Sequence, residues 1–364
     1  MPLREPALLS AARLAATVDS IAAAQQPCGA LPWPDGHTDP WDHVECAMAL
    51  TLGGRLAEAR RAYAWSARTQ APGGGWATRW DGQRVLDADV DTNQCAYLAV
   101  GVWHWWRVTG ERELVEQLWP HVRRALDLVL SVQQPGGQVA WCVRGDGSVD
   151  TDALVTGSAS TYQALRCGLA LADLLGEPQP DWELAAGLLQ HAVAEHPEVF
   201  LDKTRFSMDW YYPVLAGVVR GPAARRRLSE RWDEFVVPTL GIRCVADRPW
   251  VTGAETAELA LALAAIGDPE PGRALFADMQ HLRERDGSYW TGFVYADDKR
   301  WPVERSSWTA AAVVLAADAL AGGPTLTLFR GDELPTGAVL PPDACTAEGA
   351  PCAAPPLRAV AEHP

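Results

Sequence analysis

The chain repeats one pattern six times: a long loop rich in Gly, Asp and Trp leads into an apolar helix, and a short turn follows. The six loop-to-helix junctions span residues 34–50, 87–100, 150–171, 205–219, 247–263 and 297–317. A recurrence at roughly 45–65 residues indicates a repeat architecture, in which each unit buries its apolar face against its neighbours. All six junctions are therefore expected to open on one face of the molecule.

Hydrophobic periodicity predicts twelve helices, paired into six hairpins. Their expected ranges are 5–26, 39–53, 55–70, 92–109, 111–134, 158–176, 180–196, 209–219, 222–236, 253–267, 269–285 and 303–321. The short turns within the pairs carry Gly followed by Pro or an acidic residue. Gly favours the end of one helix, and Pro or an acid favours the start of the next, so these turns support the pairing.

The two helices of a pair differ in polarity. The helix after each long loop is apolar on nearly all sides, as in ELALALAAI (258–266), whereas its partner carries a charged stripe, as in 111–130. A helix that is apolar all round is buried, and one with a polar stripe lies at the surface. The sequence therefore predicts an all-α fold, an (α/α)6 toroid formed by residues 1–321. Residues 322–364, rich in Pro, Ala and Gly, are expected to be a disordered C-terminal tail or at most a strap across the toroid.

The composition of the chain limits which partners, cellular locations and cofactors are expected. A formal net charge of −15 argues against a nucleic-acid groove or an anionic membrane surface, both of which need clustered Lys and Arg. There is no apolar run of the roughly 20 residues that span a bilayer, and the N-terminus lacks the apolar core of a secretory signal, so a cytoplasmic location is expected. The eight cysteines have no paired metal-ligand spacing and are expected to be free thiols, with no metal and no cofactor.

Seventeen tryptophans exceed what a core of this size requires, and many of them lie in the loops and junctions. Aromatic rings beside clustered carboxylates suit a carbohydrate, whose rings offer apolar faces edged with hydroxyl groups. The residues expected to bind substrate are Trp41, His43, Asp91, Asn93, Asp209, Trp210, Tyr211, Arg248, Trp250, Trp290, Glu304 and Trp308.

Each candidate carboxylate also has a purely structural interpretation. Asp39 precedes Pro40 as an ordinary helix N-cap would, and Thr252-x-x-Glu255 matches a capping box. Capping and catalysis are compatible, since a cap fixes a carboxylate in place.

The pattern of the chain resembles the six-hairpin glycosidases, including the glucoamylase type, over roughly residues 30–321. The helix pair around 109–130 is similar to one common in that group. Residues 39–50 and 301–320 also resemble actinobacterial proteins described as prenyltransferase-like. The resemblance implies catalytic glutamates on the long loops before inner helices, and Glu255 and Glu304 occupy such junctions.

The favoured hypothesis is an inverting glycoside hydrolase that acts on an α-linked or modified oligosaccharide or polysaccharide. Such chemistry needs one protonated acid at the leaving oxygen and one carboxylate that activates water. We expect Glu255 to be the acid, because the nearby Trp250 and the apolar helix would raise its pKa, and Asp42 or Asp39 to be the base.

Three alternatives remain open at the level of sequence. A class II terpene cyclase would use an Asp-rich motif that Asp89-Val90-Asp91-Thr92 matches only in part. A sugar epimerase would need paired bases, yet His43 is the only histidine at the start of an inner helix. A non-catalytic glycan-binding protein would keep the aromatic residues without an acid and base. A polar open mouth would favour sugar, and a closed apolar cavity a prenyl chain.

Overall fold

The structure is a computed structural model that describes residues 8–340. Its helices are α1 Ala11–Ala24, α2 Pro40–Leu52, α3 Leu56–Thr69, α4 Thr92–Ala96, α5 Leu98–Thr109, α6 Arg112–Ser131, α7 Val155–Leu175, α8 Pro180–Glu195, α9 Ser207–Leu215, α10 Gly221–Glu230, α11 Trp232–Phe235, α12 Gly253–Ala265, α13 Pro269–Asp278, α14 Ser307–Leu320 and α15 Pro324–Arg330. All twelve predicted helices are present. The fourth is divided into α4 and α5 at Tyr97, the ninth is divided into α10 and α11 at Arg231, and α15 was not predicted.

The inner helices close into a ring. In chain order α2, α5, α7, α9, α12 and α14 each contact the next, and α14 returns to α2. The outer helices α3, α6, α8, α10, α13 and α1 pack behind them in the same order. Every residue of α12 is buried, whereas α6 alternates buried and exposed positions along its length. The predicted (α/α)6 toroid is confirmed, and its polarity pattern is the physical reason for the two concentric layers.

The long loops carry short antiparallel strands that the sequence analysis did not predict. These are β1 His37–Thr38, β2 Arg79–Asp81, β3 Arg84–Asp87, β4 Val90–Asp91, β5 Cys142–Val143, β6 Val149–Asp150, β7 Val236–Val237, β8 Gly241–Arg243, β9 Trp250–Thr252, β10 Gly292–Val294 and β11 Lys299–Arg300. They form three sheets, ordered β1-β2-β3, β4-β5-β6 and β11-β10-β9-β8-β7. Strands β4 and β9 run directly into α4 and α12, so the sheets fix the chain where it enters the inner ring.

Three outer helices are followed by the same glutamine–glycine arrangement. The pairs are Gln25 with Gly29, Gln70 with Gly74 and Gln133 with Gly137. In each pair the glutamine amide donates to the glycine carbonyl four residues later and to a backbone carbonyl of the neighbouring outer helix. For Gln70 these bonds measure 2.7 and 2.9 Å. The arrangement ties each long loop to the adjacent hairpin.

Replacing Gly74 by alanine is expected to lower the free energy of unfolding by about 1–3 kcal/mol or more. Gly74 has φ +94°, and a Cβ there would lie 2.2 Å from the carbonyl oxygen of Arg124. Urea unfolding followed by far-UV circular dichroism measures the change.

Two glycines serve as matched controls for this substitution. Gly73→Ala meets no atom within 4 Å and has an ordinary φ, so it should leave the urea midpoint unchanged. Gly54 has φ +72°, but a Cβ there would meet no atom within 4 Å. Gly54→Ala therefore measures the backbone strain alone, without the steric clash that Gly74→Ala adds. Equal midpoints for the Gly73 and Gly74 variants would contradict the prediction.

A strap closes the end of the toroid opposite the long loops. Helix α15 packs across α14, α12 and α5, and the chain then runs over α7 and α8. The Arg166 side chain on α7 donates to the carbonyls of Gly331, Leu334 and Pro335, and the Ala338 amide donates to the carbonyl of Glu183. The expected tail therefore starts later than residue 322, because 324–338 form this strap. Its remainder, 341–364, lies outside the described residues.

Within residues 8–340, no single helix has both the length and the apolar character needed to cross a membrane. One bent pair, α14 with α15 at 89°, meets the requirement by length and composition alone.

Candidate active site

An open cleft of about 610 Å³ lies at the mouth of the toroid, where the long loops meet the start of α2. Indole rings and charged side chains line it together: Trp33, Trp41, Trp141, Asp42, Asp89 and Arg144. Arg144 bridges Asp89 and Asp150 and lies 5.2 Å from the centre of the Trp141 ring, which holds that ring against the cleft wall. This polar, open mouth is the form that favours a sugar over a prenyl chain.

Asp39 caps helix α2, as the sequence predicts. Its Oδ1 accepts the Asp42 backbone N–H at 2.9 Å, and its Oδ2 accepts the Trp33 indole N–H at 2.9 Å. Both oxygens are therefore engaged in holding the start of the helix. This geometry makes Asp39 a positioning group for its neighbour Asp42 rather than a base free to meet water.

The pKa of Asp42 is raised well above its ordinary value. Burial is the main cause, followed by the negative charges of Asp39 and Glu45 and a hydrogen bond with the Asp39 carboxyl group. Neighbouring carboxylates disfavour each other's charged form, so this crowding favours the protonated form of Asp42. Asp42, which also lines the cleft, is a carboxyl group that can donate that proton.

The carboxyl groups of α2 and α12 form two layers. Asp42 and Glu45 are three residues apart on one helix, and Glu255 and Glu258 are three residues apart on the other, so each pair shares a helix face. Both helices begin at the mouth and both pack on α14. Glu45 and Glu258 interact at the lower level, where the charge of Glu45 contributes to the raised pKa of Glu258. Asp42 and Glu255 each lie about one helical turn nearer the start of their own helix, which is the end that the long loops enter.

Glu45 holds three aromatic side chains at the centre of the ring. Its Oε1 accepts the Trp41 indole N–H at 3.1 Å and the Tyr97 hydroxyl at 3.0 Å, while its Oε2 accepts the Trp308 indole N–H at 2.9 Å. Burial raises the pKa of Glu45 to about 7 despite these three donors. Trp41 and Trp308, two predicted substrate-binding residues, owe their ring orientation to this carboxyl group.

Glu258 forms the opposite side of the lower level. The Tyr211 hydroxyl donates to its Oε2, and its Oε1 is buried without a hydrogen-bond partner among the described residues. Burial and the charges of Glu45 and Glu255 raise its pKa well above the ordinary value. The Tyr212 ring stands edge-on to Trp41 at 5.6 Å, so tyrosines from α9 close the floor beneath the cleft.

Glu255 does not form the predicted capping box. The Thr252 side chain makes no cap hydrogen bond, and its hydroxyl is buried without a partner among the described residues. The Glu255 side chain is 5% exposed and lies against the Cys244 thiol. Its carboxyl group is therefore not committed to the helix start, which distinguishes it from Asp39.

Asp91, Asn93 and Asp209 extend the polar ring around the mouth. Asp91 caps α4 by accepting the Gln94 N–H at 3.0 Å, and burial raises its pKa to about 6. The Asn93 Oδ1 is buried without a partner among the described residues. Asp209 accepts the Thr156 hydroxyl at 2.6 Å, and burial raises its pKa as well.

Three predicted residues lie on the wall formed by β9, β10 and the loop before α14, and a fourth, Arg248, lies in the loop before β9. The Trp250 indole donates to the Trp301 carbonyl at 2.8 Å, and the Trp290 indole donates to Glu284 at 2.7 Å. Glu304 accepts the Thr291 hydroxyl at 3.2 Å. Arg248 is exposed at the surface of the preceding loop. Trp250, Trp290 and Glu304 are thus held by the loops, and their roles toward a substrate stay predictions.

Two predicted substrate-binding residues face away from the cleft, and a third is buried beneath it. His43 is buried against α3, where Nδ1 accepts the Leu31 N–H and Nε2 donates to the Ala62 carbonyl. Trp210 stacks on Phe235 at 5.1 Å and points outward. Tyr211 is fully buried on Glu258. A turn of helix takes 3.6 residues, so a neighbour in sequence at a junction can face the opposite way.

Several residues of the site were not predicted: Glu45, Tyr97, Arg144, Tyr212 and Glu258. Trp33 and Trp141 belong to the loop tryptophans that the sequence favours for lining a cleft. The signal for Glu45 and Glu258 was present, because each is an acidic residue beyond the first turn of an inner helix, where the remaining residues are mostly apolar. A buried carboxyl group at such a position needs partners or a function. Within residues 8–340, no group of three or more His, Cys, Asp or Glu side chains is arranged to hold a metal ion.

Solved structures share this fold. A wild-type glycosidase matches with a TM-score of 0.70 at 16% identity, covering 85% of this chain and 98% of that one. A GH63 mannosylglycerate hydrolase from Thermus thermophilus matches with 0.61 at 15% identity over 83% and 99%. A D-mannose isomerase matches with 0.65 at 13% identity over 88% and 100%. These likenesses show the toroid and lend no support to the prenyltransferase-like resemblance.

The carboxyl-lined, tryptophan-walled cleft on this (α/α)6 toroid belongs to a glycoside hydrolase that acts on an oligosaccharide or polysaccharide, as the following relative shows. A protein of Mycolicibacterium hassiacum described as an MMP endo-(1,4)-3-O-methyl-α-D-mannosidase is 57% identical over 334 residues, 91% of this chain and 93% of that protein. The chain belongs to the family of that mannosidase. No family model matches the sequence.

Proposed function

We propose that this hydrolase cleaves internal α-(1→4) bonds in chains of 3-O-methylmannose with inversion, using Asp42 as general acid and Glu255 as general base. The observation that carries the proposal is that Asp42 and Glu255 lie at the mouth ends of two inner helices, each one helical turn above the interacting pair Glu45 and Glu258, and have different surroundings. The bond and sugar are those in the description of the M. hassiacum protein.

The surroundings favour roles opposite to those expected from sequence. Asp42 lies among carboxyl groups that raise its pKa, so it retains a proton for the leaving oxygen. Glu255 lies one turn above Glu258 beside the Cys244 thiol, with its carboxylate free of capping bonds. In the reaction the proton moves from Asp42 to the glycosidic oxygen as the C1–O bond breaks. Glu255 takes a proton from the water whose oxygen bonds to C1.

The walls of the cleft suit a methylated sugar. An O-methyl group replaces a hydroxyl donor with apolar surface, and that surface gains by contact with an indole ring. Trp33 and Trp308 lie with their ring centres 6.0 Å apart, and Trp41 and Trp141 line the same cleft. An open cleft also admits a chain that continues on both sides of the cleaved bond, which supports internal cleavage. The intracellular location expected from sequence belongs to the same proposal.

Digestion of a defined oligosaccharide tests this function. The substrate is an α-(1→4)-linked oligomer of 3-O-methylmannose with about ten units, and the matched control is the same oligomer without methyl groups. We expect internal fragments by mass spectrometry from the methylated chain, at a rate at least about ten-fold above the control. Proton NMR at early times should show the β-anomer at the new reducing end. Release of single sugars only, or equal rates on both oligomers, would contradict the proposed substrate.

A further inference from the structure

A second pocket lies at the end of the toroid opposite the cleft. It has a volume of about 470 Å³ and lies between α7, the turns that follow α9 and α12, and the strap 331–336. Two arginines reach into it from different elements, Arg166 from the middle of α7 and Arg220 from the turn before α10. The hydrolytic mechanism uses neither of them.

The two guanidinium groups converge on one point beside Gly217. A Cβ at Gly217 would lie 2.5 Å from Arg220 Nη2 and 3.2 Å from Arg166 Nη1. A Cβ at Gly331, on the strap, would lie 2.8 Å from the same Arg166 Nη1. Two glycines, with φ +84° and +67°, thus leave open the space into which both arginines point.

The positive charge at this point has no carboxylate partner among the described residues. Arg166, 6% exposed, donates through Nε and Nη2 to strap carbonyls, and its Nη1 has no hydrogen bond within residues 8–340. Arg220 donates to the carbonyls of Val214, Phe329 and Arg330. Carbonyl dipoles orient the two groups but carry no net charge, and buried charges are ordinarily neutralised by a partner.

The nearby acid Asp332 is engaged elsewhere. It lines the pocket and its charge favours the protonated form of Arg220, but its ion pair, at 3.3 Å, is with Arg330, and it is largely exposed. Burial and the charge of Arg166 together lower the pKa of Arg220 to about 10, which indicates that the two cations repel each other across the pocket. An anion placed between them would relieve that repulsion.

We infer that Arg166 and Arg220 form a binding site for a phosphate-type oxyanion, either inorganic phosphate or the phosphoryl group of a monoester. Guanidinium groups bind such oxygens through paired, charge-assisted hydrogen bonds, and Arg166 Nη1 is a donor available for one of them. Since Gly331 belongs to the strap, the bound anion would fasten the strap to α7 and to the turn after α9. The site is independent of the proposed hydrolytic function.

Isothermal titration of the full-length protein in a buffer free of phosphate and sulfate tests the site. Inorganic phosphate is one ligand, and glycerol 3-phosphate is the monoester. We expect saturable binding of one anion per chain. Tighter binding of the monoester would show that the pocket takes an organic phosphate, and equal or tighter binding of inorganic phosphate would show that it takes the free ion. Absence of saturable binding by both would overturn the inference.

Three variants locate the binding. Arg220→Gln should weaken it about ten-fold or more, because charge-assisted bonds are lost. Arg226→Gln removes the same charge from the exposed face of α10 and should bind like the wild type. Arg166→Lys retains the charge but not the paired donors, and it should also weaken binding if Arg220→Gln does not fold. Wild-type affinity in a folded Arg220→Gln or Arg166→Lys variant would overturn the inference.

Discussion

Glu255→Gln and Asp42→Asn are each expected to lower kcat on the methylated oligomer by about 10²–10⁴-fold, the usual contribution of a positioned acid or base. Each amide keeps the size of the side chain but neither accepts nor donates the required proton. Circular dichroism and the thermal midpoint of each variant show whether the fold is retained. A folded variant with more than about a tenth of the wild-type rate would exclude that residue from proton transfer.

Two further measurements separate the acid from the base. An aryl glycoside with a good leaving group needs little protonation, so Asp42→Asn should retain most of its activity on it, whereas Glu255→Gln should not. Azide needs no base, so it should restore turnover to Glu255→Gln and yield the β-glycosyl azide. The opposite pattern would return the acid role to Glu255, as the sequence alone suggested.

Asp39→Asn is the matched control for the carboxyl cluster. Asparagine also caps helices well, so α2 should keep its start and the loss of rate should be small. The charge of Asp39 contributes to the raised pKa of Asp42, and its removal should lower that pKa. The acid then deprotonates at lower pH, and the high-pH limb of the kcat profile should move downward. An unchanged limb would show that Asp42 is not the titrating acid.

The toroid could be predicted because its evidence is spread over the whole chain. The fold is indicated independently by the six junctions, by the apolar inner helices and by the charged stripes of the outer helices. An error in one of these signals leaves the predicted fold unchanged. The short strands could not be predicted, because two or three residues carry no measurable alternation. Helix α15 follows α14 after only three residues, Ala321, Gly322 and Gly323. It was not predicted because residues 322–364 as a whole are rich in Pro, Ala and Gly, which is typical of a tail without helices.

The site was predicted less completely, because position at a junction does not fix the direction of a side chain. Asp42 lines the cleft, whereas His43, one residue further along α2, turns toward α3. Glu45 lies one helical turn deeper than Asp42, past the helix start from which the cavity-facing residues were predicted. The same holds for Glu258 on α12, although an acid in the apolar body of an inner helix is itself a signal.

Glu45 should make the protein lose stability as pH rises from about 4.5 to about 7. Burial raises the pKa of this carboxyl group from 4.5 to about 7 in the folded state. Below pH 4.5 Glu45 is protonated in both the folded and the unfolded chain, and its favourable contribution to the free energy of unfolding is fully present. Between the two values the unfolded chain releases a proton that the folded chain keeps, so the free energy of unfolding falls. The loss is about 3 kcal/mol at 1.36 kcal/mol per pKa unit.

Glu45→Gln isolates this contribution, because glutamine does not titrate. Its amide N–H₂ faces the indole and hydroxyl donors that surround Glu45, which destabilises the variant at every pH by a similar amount. The wild type should therefore be clearly more stable than the variant at pH 5, and the gap should narrow by about 3 kcal/mol at pH 8. Urea unfolding at half-unit steps of pH measures the free energy of unfolding of both proteins.

Glu116→Gln, an exposed change on α6, is the control, and its free energy of unfolding should fall with pH as that of the wild type does. Parallel curves for wild type and Glu45→Gln would mean that Glu45 is already ionised in the fold, and that the proton of the cluster resides on Asp42 or Glu258.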